Sequence, residues 1–588
     1  MYTEVKSYQM IISLLKQYNI RNCVLSAGSR NLPFVHSVEQ DDFFKCYSVV
    51  DERSAGYFAL GLSQELCEPV VISCTSSTAT CNYWPPVTEA FYQGVPLIIL
   101  TSDRDPRMLG QWEDQMIDQV GMYDRHVVKS VNLPIINNKN DEIFCERLLN
   151  EAFLELRHNG KTGPVHINIP TDSYNRTFVE KKLINTKKIE RVENLDQEFF
   201  REKIEKLKSA KKILVVCGQK TNVSKKLKES LNLFFKKYNS VLAVEFMSNV
   251  GLEQGINTNA CMDSNFADID SVKELLPDII ISYGGQIFTP LKVQLKNNHG
   301  KFEHWLINEN GKVIDAFKSL TTIFECTPEF FFSQACKYNN NKNDMKYYEQ
   351  FKKYSDSVKF PKIPYSHIYA IKNVVEKIQE NSILHLSIND SIRIANYFKT
   401  SKGVKTYANI GTHGIDGCMS SFLGQANGNP NKKAYLIIGD LAFFYDMNSL
   451  KINSIPKNVR ILLVNNHGGS EFYFNRIWQN EKSDLHTSAR HNVKAMGWVQ
   501  SNNFRYLCAN NKESFDKNLS IFLSSEGDKP IVFEVFTEMS SDADILHEIL
   551  KYNRKKSLKD SIVRTTKEIV KKKLGQEKAK KIIDIIKK

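Results

Sequence analysis

Two oxygen-bearing side chains stand directly after two apolar runs. KAYLIIGD ends in Gly439-Asp440, and VRILLVNN ends in Asn465-Asn466, followed by His467-Gly468-Gly469. Asp440 and Asn466 are 26 positions apart, so two consecutive strand ends can bring them to one edge of a sheet. A carboxylate, an amide oxygen and the Gly468 carbonyl make a half-shell of hard oxygens. That set suits Mg2+ (or Mn2+), which takes six oxygens and draws the rest from phosphates and water. Gly439 lets backbone approach a phosphate, and Gly468 with Gly469 permits the turn. The chemistry on offer is metal-assisted binding of a diphosphate.

A second glycine cluster runs from Asn409 to Gly417 and precedes a helical segment, CMSSFLGQA. Backbone amides at a helix start can receive phosphate oxygens; a plain glycine turn fits the cluster equally well. The GD…NN spacing is that of thiamine-diphosphate sites, although glycine usually follows the aspartate and Leu441 stands there in this chain. Thiamine is nucleophilic only once its C2 proton has left. Protonation of N1′ on its aminopyrimidine assists that loss, and a neutral carboxylic acid beside N1′ supplies the hydrogen bond. Burial favours the neutral acid. The candidate is Glu52 in VVDERSAGYFALGL, just before a helical pattern that puts Ala55, Phe58, Ala59 and Leu62 on one face. A solvated helix start is the plainer alternative for such a glutamate.

These residues need a scaffold that presents strand ends. Short β-branched runs alternate with helical segments in three blocks, the pattern of an α/β chain with three doubly wound parallel sheets. Residues 1–185 contain NCVLSAG, PVVISCTSS, VPLIILTSD and GPVHINIP; residues 195–345 contain KKILVVCG, SVLAVEF, PDIIISYGG and HWLINEN; residues 360–547 contain SILHLSI, KAYLIIGD, VRILLVNN and KPIVFEVF. Charged and polar stretches between the blocks read as linkers. Strands covered on both faces are continuously apolar, and ligands bind at their carboxyl ends where the strand order reverses.

Composition removes several other functions. The 588 residues carry a net charge of +13, yet residues 551–588 hold fifteen Lys/Arg against four Asp/Glu. The basic character therefore belongs to a C-terminal tail, 548–588, and a nucleic-acid role for the whole chain is not supported. No apolar run reaches the ~18–20 residues that cross a bilayer. The N-terminus lacks a signal-peptide pattern. Twelve scattered cysteines without a CxxC pair fit reduced thiols in a cytoplasmic protein. The tail spaces Ile562, Val563, Ile569, Val570, Leu574 and Ile582 among lysines at near-helical intervals. It reads as a helix docked on its own domain, or as one lying on a membrane surface or a protein partner.

The segments SAGSR, DERSAGYFALGL, CTSSTA, VPLIILTSDR, MIDQVGMYDRHV, GPVHINIP, HGIDG, IGDLAFFYDMNSL and VNNHGG together resemble one family. It is the thiamine-diphosphate-dependent 2-succinyl-5-enolpyruvyl-6-hydroxy-3-cyclohexene-1-carboxylate (SEPHCHC) synthases of menaquinone biosynthesis. The match covers about 25–170 and 380–475, and its GDLAFFYDMNSL accounts for Leu441. The resemblance implies a pyrimidine-binding first domain, a spacer middle domain and a diphosphate-binding third domain. It also implies a homodimer, or a dimer of such dimers, with the active site between subunits. Glu52 falls on the position of the N1′ acid. Asp440, Asn466 and the Gly468 carbonyl fall on the metal positions. Thr75, Ser76, Gly414, Ile415, Asp416, Gly439 and Leu441 fall on coenzyme positions, Ile415 supporting the bent coenzyme. Gln115 falls on a proton-handling position. Ser29, Arg30, Arg104 and Arg393 match positions that meet anionic substrate groups, a task for which arginine's planar fork is suited.

The pattern breaks at substrate positions. Ile410 stands where the family has the arginine that helps hold the far carboxylate of 2-oxoglutarate, a loss of roughly 1.5–3 kcal/mol of charge-assisted hydrogen bonding. His413 replaces a small residue, Asp114 an asparagine and Glu471 an apolar residue. In the middle block Lys292 is a displaced candidate for the basic residue that meets isochorismate. The expected function is decarboxylation of a 2-oxo acid and carbon–carbon ligation to an acceptor, with 2-oxoglutarate and isochorismate as the family's pair. The alternatives are the same step on another 2-oxo acid or acceptor in a specialised sugar, capsule or phosphonate pathway, and a non-catalytic scaffold.

Overall fold

The computed structural model describes residues 1–66, 68–158, 161–172, 177–192, 197–220, 223–263, 267–287, 290–339, 341–410, 413–451, 455–475, 485–524 and 527–553. The apolar runs become the central strands of three parallel sheets flanked by helices. The first sheet comprises β1 (Asn22–Leu25), β2 (Lys45–Ser48), β3 (Val70–Cys74), β4 (Leu97–Asp103), β5 (Lys129–Asn132) and β6 (Val165–Pro170), in the order β2-β1-β3-β4-β6-β5. The middle sheet comprises β7 (Glu190–Val192), β8 (Ile213–Cys217), β9 (Ser240–Val244), β10 (Gly255–Asn257), β11 (Ile279–Tyr283), β12 (Glu303–Ile307) and β13 (Leu320–Phe324), ordered β10-β9-β8-β11-β12-β13-β7. The third comprises β14 (Ile383–Leu386), β15 (Lys405–Tyr407), β16 (Ala434–Gly439), β17 (Val459–Asn465), β18 (Arg505–Ala509) and β19 (Ile531–Phe536), ordered β15-β14-β16-β17-β19-β18. First and third sheets thus share one topology. In each, the order reverses between the first and third strand, where an open α/β sheet binds its ligand.

Successive side chains on a strand point to opposite faces, and both faces are covered. In the first sheet Val71, Ile98 and Leu100 enter one core while Val70, Ile72, Leu97 and Ile99 enter another. In the third, Tyr435, Ile437, Leu462 and Val464 face one core and Leu436, Ile438, Ile461 and Leu463 the other. The charged stretch 179–194, read as a linker, also contributes: Glu190–Val192 pairs in parallel with β13 as an edge strand. By compactness the chain forms two units, Met1–Lys206 with Glu303–Phe331, and Leu207–Phe302 with Phe332–Lys588. The last helix runs from Met539 to Tyr552, and the tail beyond Asn553 lies outside the described residues. Among the described residues no helix is long and apolar enough to cross a membrane.

Candidate functional site

The carboxyl edge of the third sheet gathers the metal candidates. β16 ends at Gly439, and Asp440 opens the helix Asp440–Tyr445. Its carboxylate is 2% exposed. Oδ1 accepts from the Leu441 amide at 2.7 Å and Oδ2 from the Gly468 amide at 2.9 Å, which ties the ends of β16 and β17 together. Leu441 needs no glycine-like freedom because it lies in the first turn of that helix. Asn465 and Asn466 have divided their work. Asn465 serves the scaffold, its Nδ2 donating to Glu534 at 2.7 Å and to the Val493 carbonyl at 3.0 Å. Asn466 is buried and its Nδ2 donates to Asp542 at 3.4 Å.

A buried carboxylate is costly without a cation or a full set of donors. Among the described residues no lysine or arginine lies within ion-pair distance of Asp440. Its one ionisable neighbour is His491, with Nε2 at 3.3 Å from Oδ2. Val493 donates its amide to His491 Nδ1 at 3.1 Å, which leaves Nε2 as the ring atom nearest the carboxylate. Nor do the described residues contain a cluster of three or more His, Cys, Asp or Glu fit for a metal. The arrangement is the oxygen-rich kind that a phosphate-bound Mg2+ completes. Gly439 fits as well, since a Cβ there would meet nothing within 4 Å.

Gly468 is fixed by a stricter demand. Its φ is +146°, and a Cβ would stand 2.6 Å from the Ser488 carbonyl oxygen. Gly468→Ala is therefore expected to displace the loop that offers the carbonyl. Loss of roughly 1–3 kcal/mol of stability and weaker Mg2+ binding should appear together in denaturant titration and metal calorimetry.

The same edge collects several substrate candidates. Arg393, on the helix Asp390–Ala395 after β14, donates from Nε to the Tyr397 hydroxyl at 2.9 Å and from Nη2 to Asp263 at 3.1 Å, and lies 4.5 Å from the Phe474 ring centre. Glu471 is held above the usual carboxylate range by partial burial and then by the neighbouring Asp390, against the pull of Arg393. His413 is exposed at φ +57°, with its amide on the Asn409 carbonyl at 3.2 Å. Gly414, Ile415 and Asp416 follow it before the helix Cys418–Gly428, while Gly411 and Thr412 lie outside the described residues. Ile410 is fully buried in the core that also holds Ile392, Ile394 and Ala408. Lys292, on the helix Pro290–Asn297, is held below the usual lysine range by burial and then by Lys296, against Glu245.

The carboxyl edge of the first sheet gathers the rest. Gly28 follows β1 so closely against β3's end that a Cβ would lie 2.4 Å from Thr75 Cβ. Ser29 is exposed and Arg30 buried. Arg104 follows β4 and is ion-paired with Glu113, while its Nε is buried without a hydrogen-bond partner. Ser76 donates to the Gln115 carbonyl at 3.0 Å, which brings the 113–119 segment to the end of β3. Asp114 and Gln115 are both exposed, Gln115 at φ +51°.

Glu52 begins the helix Glu52–Leu66, and Asn82 Nδ2 donates to its Oε2 at 3.1 Å. Burial, and then the Glu52 charge, push the Cys74 thiol up; Tyr83 is raised by burial first, with Cys74 and Glu52 adding. The expected burial of Glu52 is not supplied by the single chain, in which it is only half-buried.

Comparison with known proteins bears on what these edges hold. Residues 5–122 match the thiamine pyrophosphate enzyme N-terminal TPP-binding domain. The chain is 35% identical over 561 residues to the 2-succinyl-5-enolpyruvyl-6-hydroxy-3-cyclohexene-1-carboxylate synthase of Phocaeicola vulgatus, covering 93% of this chain and 98% of that protein. The chain belongs to the SEPHCHC synthase family. The Bacteroides thetaiotaomicron synthase is 34% identical over 551 residues (93% and 98% covered), and that of Flavobacterium johnsoniae 30% over 563 (94% and 99%). As a member of this family the protein is a thiamine-diphosphate enzyme that uses a divalent metal such as Mg2+. Sequence reasoning missed His491, Glu534 and Asp542. Glu534 lies inside the apolar strand Ile531–Phe536 and the other two follow no recognisable pattern; their contacts to Asn465, Asp440 and Asn466 are tertiary.

Proposed function

We propose that the chain decarboxylates 2-oxoglutarate and joins the remaining four-carbon unit to isochorismate, with thiamine diphosphate and Mg2+. The observation that carries this reading is the buried Asp440, tied to Gly468 and without a lysine or arginine partner among the described residues, at the end of the strand next to Asn466. Asp440, Asn466 and the Gly468 carbonyl would hold the metal. Gly439, Leu441 and the Gly414–Asp416 turn would receive the diphosphate, and Thr75, Ser76 and Glu52 the aminopyrimidine. When bound, the coenzyme supplies a carbon nucleophile and an electron sink for the decarboxylation. The chain's part is to hold a proton at Glu52, to grip the donor's carboxylates with Ser29, Arg30, Arg104 and Arg393, and to place Gln115 for proton handling.

The half-buried Glu52 supports a homodimer, or a dimer of dimers, in which a partner subunit covers the acid and raises its affinity for the proton. Exposed apolar side chains on the adjoining loops fit that role: Val50 is 75% exposed and Trp112 99%. Eleven described cysteines are free thiols, which supports a cytoplasmic location.

A different donor is favoured by one feature: Arg104 and Arg393 already face Glu113 and Asp263, so each grips a substrate carboxylate at reduced net charge. Product mass spectrometry with isochorismate and either 2-oxoglutarate or pyruvate decides between the donors. Turnover of 2-oxoglutarate is expected to exceed that of pyruvate by roughly 10–100-fold in kcat/KM, the worth of one charge-assisted hydrogen bond. Equal rates, or no adduct of 2-oxoglutarate, would reject the first donor.

A further inference from the structure

Behind the metal edge lies a ring of polar side chains that no step of the reaction uses. Asn466 Nδ2 donates to Asp542 Oδ2 at 3.4 Å, and the Thr537 hydroxyl donates to the same oxygen at 2.6 Å. The other oxygen, Oδ1, accepts the His367 backbone amide at 3.0 Å and stands 3.1 Å from His367 Nδ1. His367 Nε2 is 3.7 Å from Asp390 Oδ2, which accepts from the Ser470 hydroxyl at 2.9 Å. The ring therefore leaves the loop at Asn466 and returns to it at Ser470. Asp542 and His367 are 1% and 2% exposed.

We propose that Asp542 is a positioning residue: it turns the Asn466 carboxamide so that its oxygen, not its nitrogen, is presented to the metal. This rests on Asn466 being a metal ligand. An asparagine amide has a donor end and an acceptor end of nearly equal size. Nothing in its shape decides which end faces a cation. A carboxylate is acceptor-only, so it can face only the Nδ2 end, and the Oδ1 end must then face away. His367 anchors the choice from behind, because its backbone amide and ring hold Oδ1 of Asp542 and leave Oδ2 for Asn466. Partners behind metal ligands are worth about 10–100-fold in metal affinity.

Substitution reverses the logic in a way that can be read. In Asp542→Asn, Oδ1 stays on His367 and Nδ2 faces Asn466, donor against donor. The Asn466 amide must then flip and offer nitrogen to the cation. In Asn466→Asp, two carboxylates meet at the same contact, although a carboxylate is otherwise a better ligand for a hard cation than an amide. In the double variant the amide of residue 542 donates to the carboxylate at 466, and the hydrogen bond is restored with its direction reversed.

The experiment is Mn2+ binding followed by electron paramagnetic resonance, with thiamine diphosphate present, on the wild type, both single variants and the double variant. Each single variant is expected to bind Mn2+ about 10–100-fold more weakly. The double variant should recover most of the loss, a coupling that independent sites do not show. Wild-type affinity in Asp542→Asn, tighter binding in Asn466→Asp, or no recovery in the double variant would overturn the proposal. Should Asp542→Asn fail to fold, Asn466→Asp decides alone, since only an opposing Asp542 makes the added charge unfavourable. Asp440→Asn separates the two layers. If it abolishes Mn2+ binding while Asp542→Asn does not weaken it, the ligands stand and the positioning role falls. If the wild type itself binds no Mn2+, both fall.

Discussion

Glu52→Gln is expected to cut turnover by roughly 10²–10⁴-fold, the usual worth of a positioned acid or base, while thiamine diphosphate affinity changes only a few-fold. The substitution is nearly isosteric. Asn82, which donates to Oε2 at 3.1 Å, can keep its bond to the glutamine oxygen, so the helix start is undisturbed. What disappears is an exchangeable proton at a site flanked by Cys74 and Tyr83, both raised and therefore neutral at neutral pH. In the proposed site the coenzyme is anchored chiefly through its diphosphate and metal on the third sheet's edge, so binding should survive. Steady-state kinetics with calorimetric titration of the coenzyme would separate the two. Unchanged turnover would show that Glu52 is only a solvated helix start; loss of coenzyme affinity in step with activity would show a structural role.

The second large effect is expected at Asp440, in the opposite sense. Asp440→Asn should abolish metal-dependent binding of thiamine diphosphate, with a loss beyond the about 10–100-fold typical of residues behind a ligand. The metal-free protein should nevertheless keep its stability or gain some. The wild-type chain buries this carboxylate with two backbone amides and one imidazole, and removing a buried, under-compensated charge lowers the cost of folding. Opposite signs in coenzyme titration and denaturant unfolding would mark a residue retained for the metal. A variant that loses stability and binding together would mark a structural carboxylate instead.

The parts of the fold that could be read from the sequence follow from burial. The central strands of the first and third sheets are mainly apolar because both their faces are covered, with a few buried polar side chains such as His166, Asn168, His385, Arg460 and Glu534 among them. Lys45–Ser48, Lys129–Asn132, Glu190–Val192, Gly255–Asn257, Lys405–Tyr407 and Arg505–Ala509 gave no such signal, and all six are edge strands. Edge strands have one open side and carry polar residues against aggregation, so their sequences resemble loops. Glu190–Val192 was for that reason hidden inside a charged linker. Asp440, Asn466 and Gly468 were legible because each directly follows a buried strand. His491 and Asp542 were not, since their contacts to Asp440 and Asn466 depend on how distant segments fold back. Ile410, which stands where the resemblance leads one to expect a substrate arginine, is packed into the core. Glu52 is only half-buried in the single chain, and its sequence context alone did not reveal that.

Release of labelled carbon dioxide from 1-labelled 2-oxoglutarate, with isochorismate, thiamine diphosphate and Mg2+ present, is the most direct measurement. The wild type should release one carbon dioxide per adduct formed. Release should stop when Mg2+ is chelated and fall by roughly 10²–10⁴-fold in Glu52→Gln. Release from the wild type no greater than from Glu52→Gln would contradict the assignment.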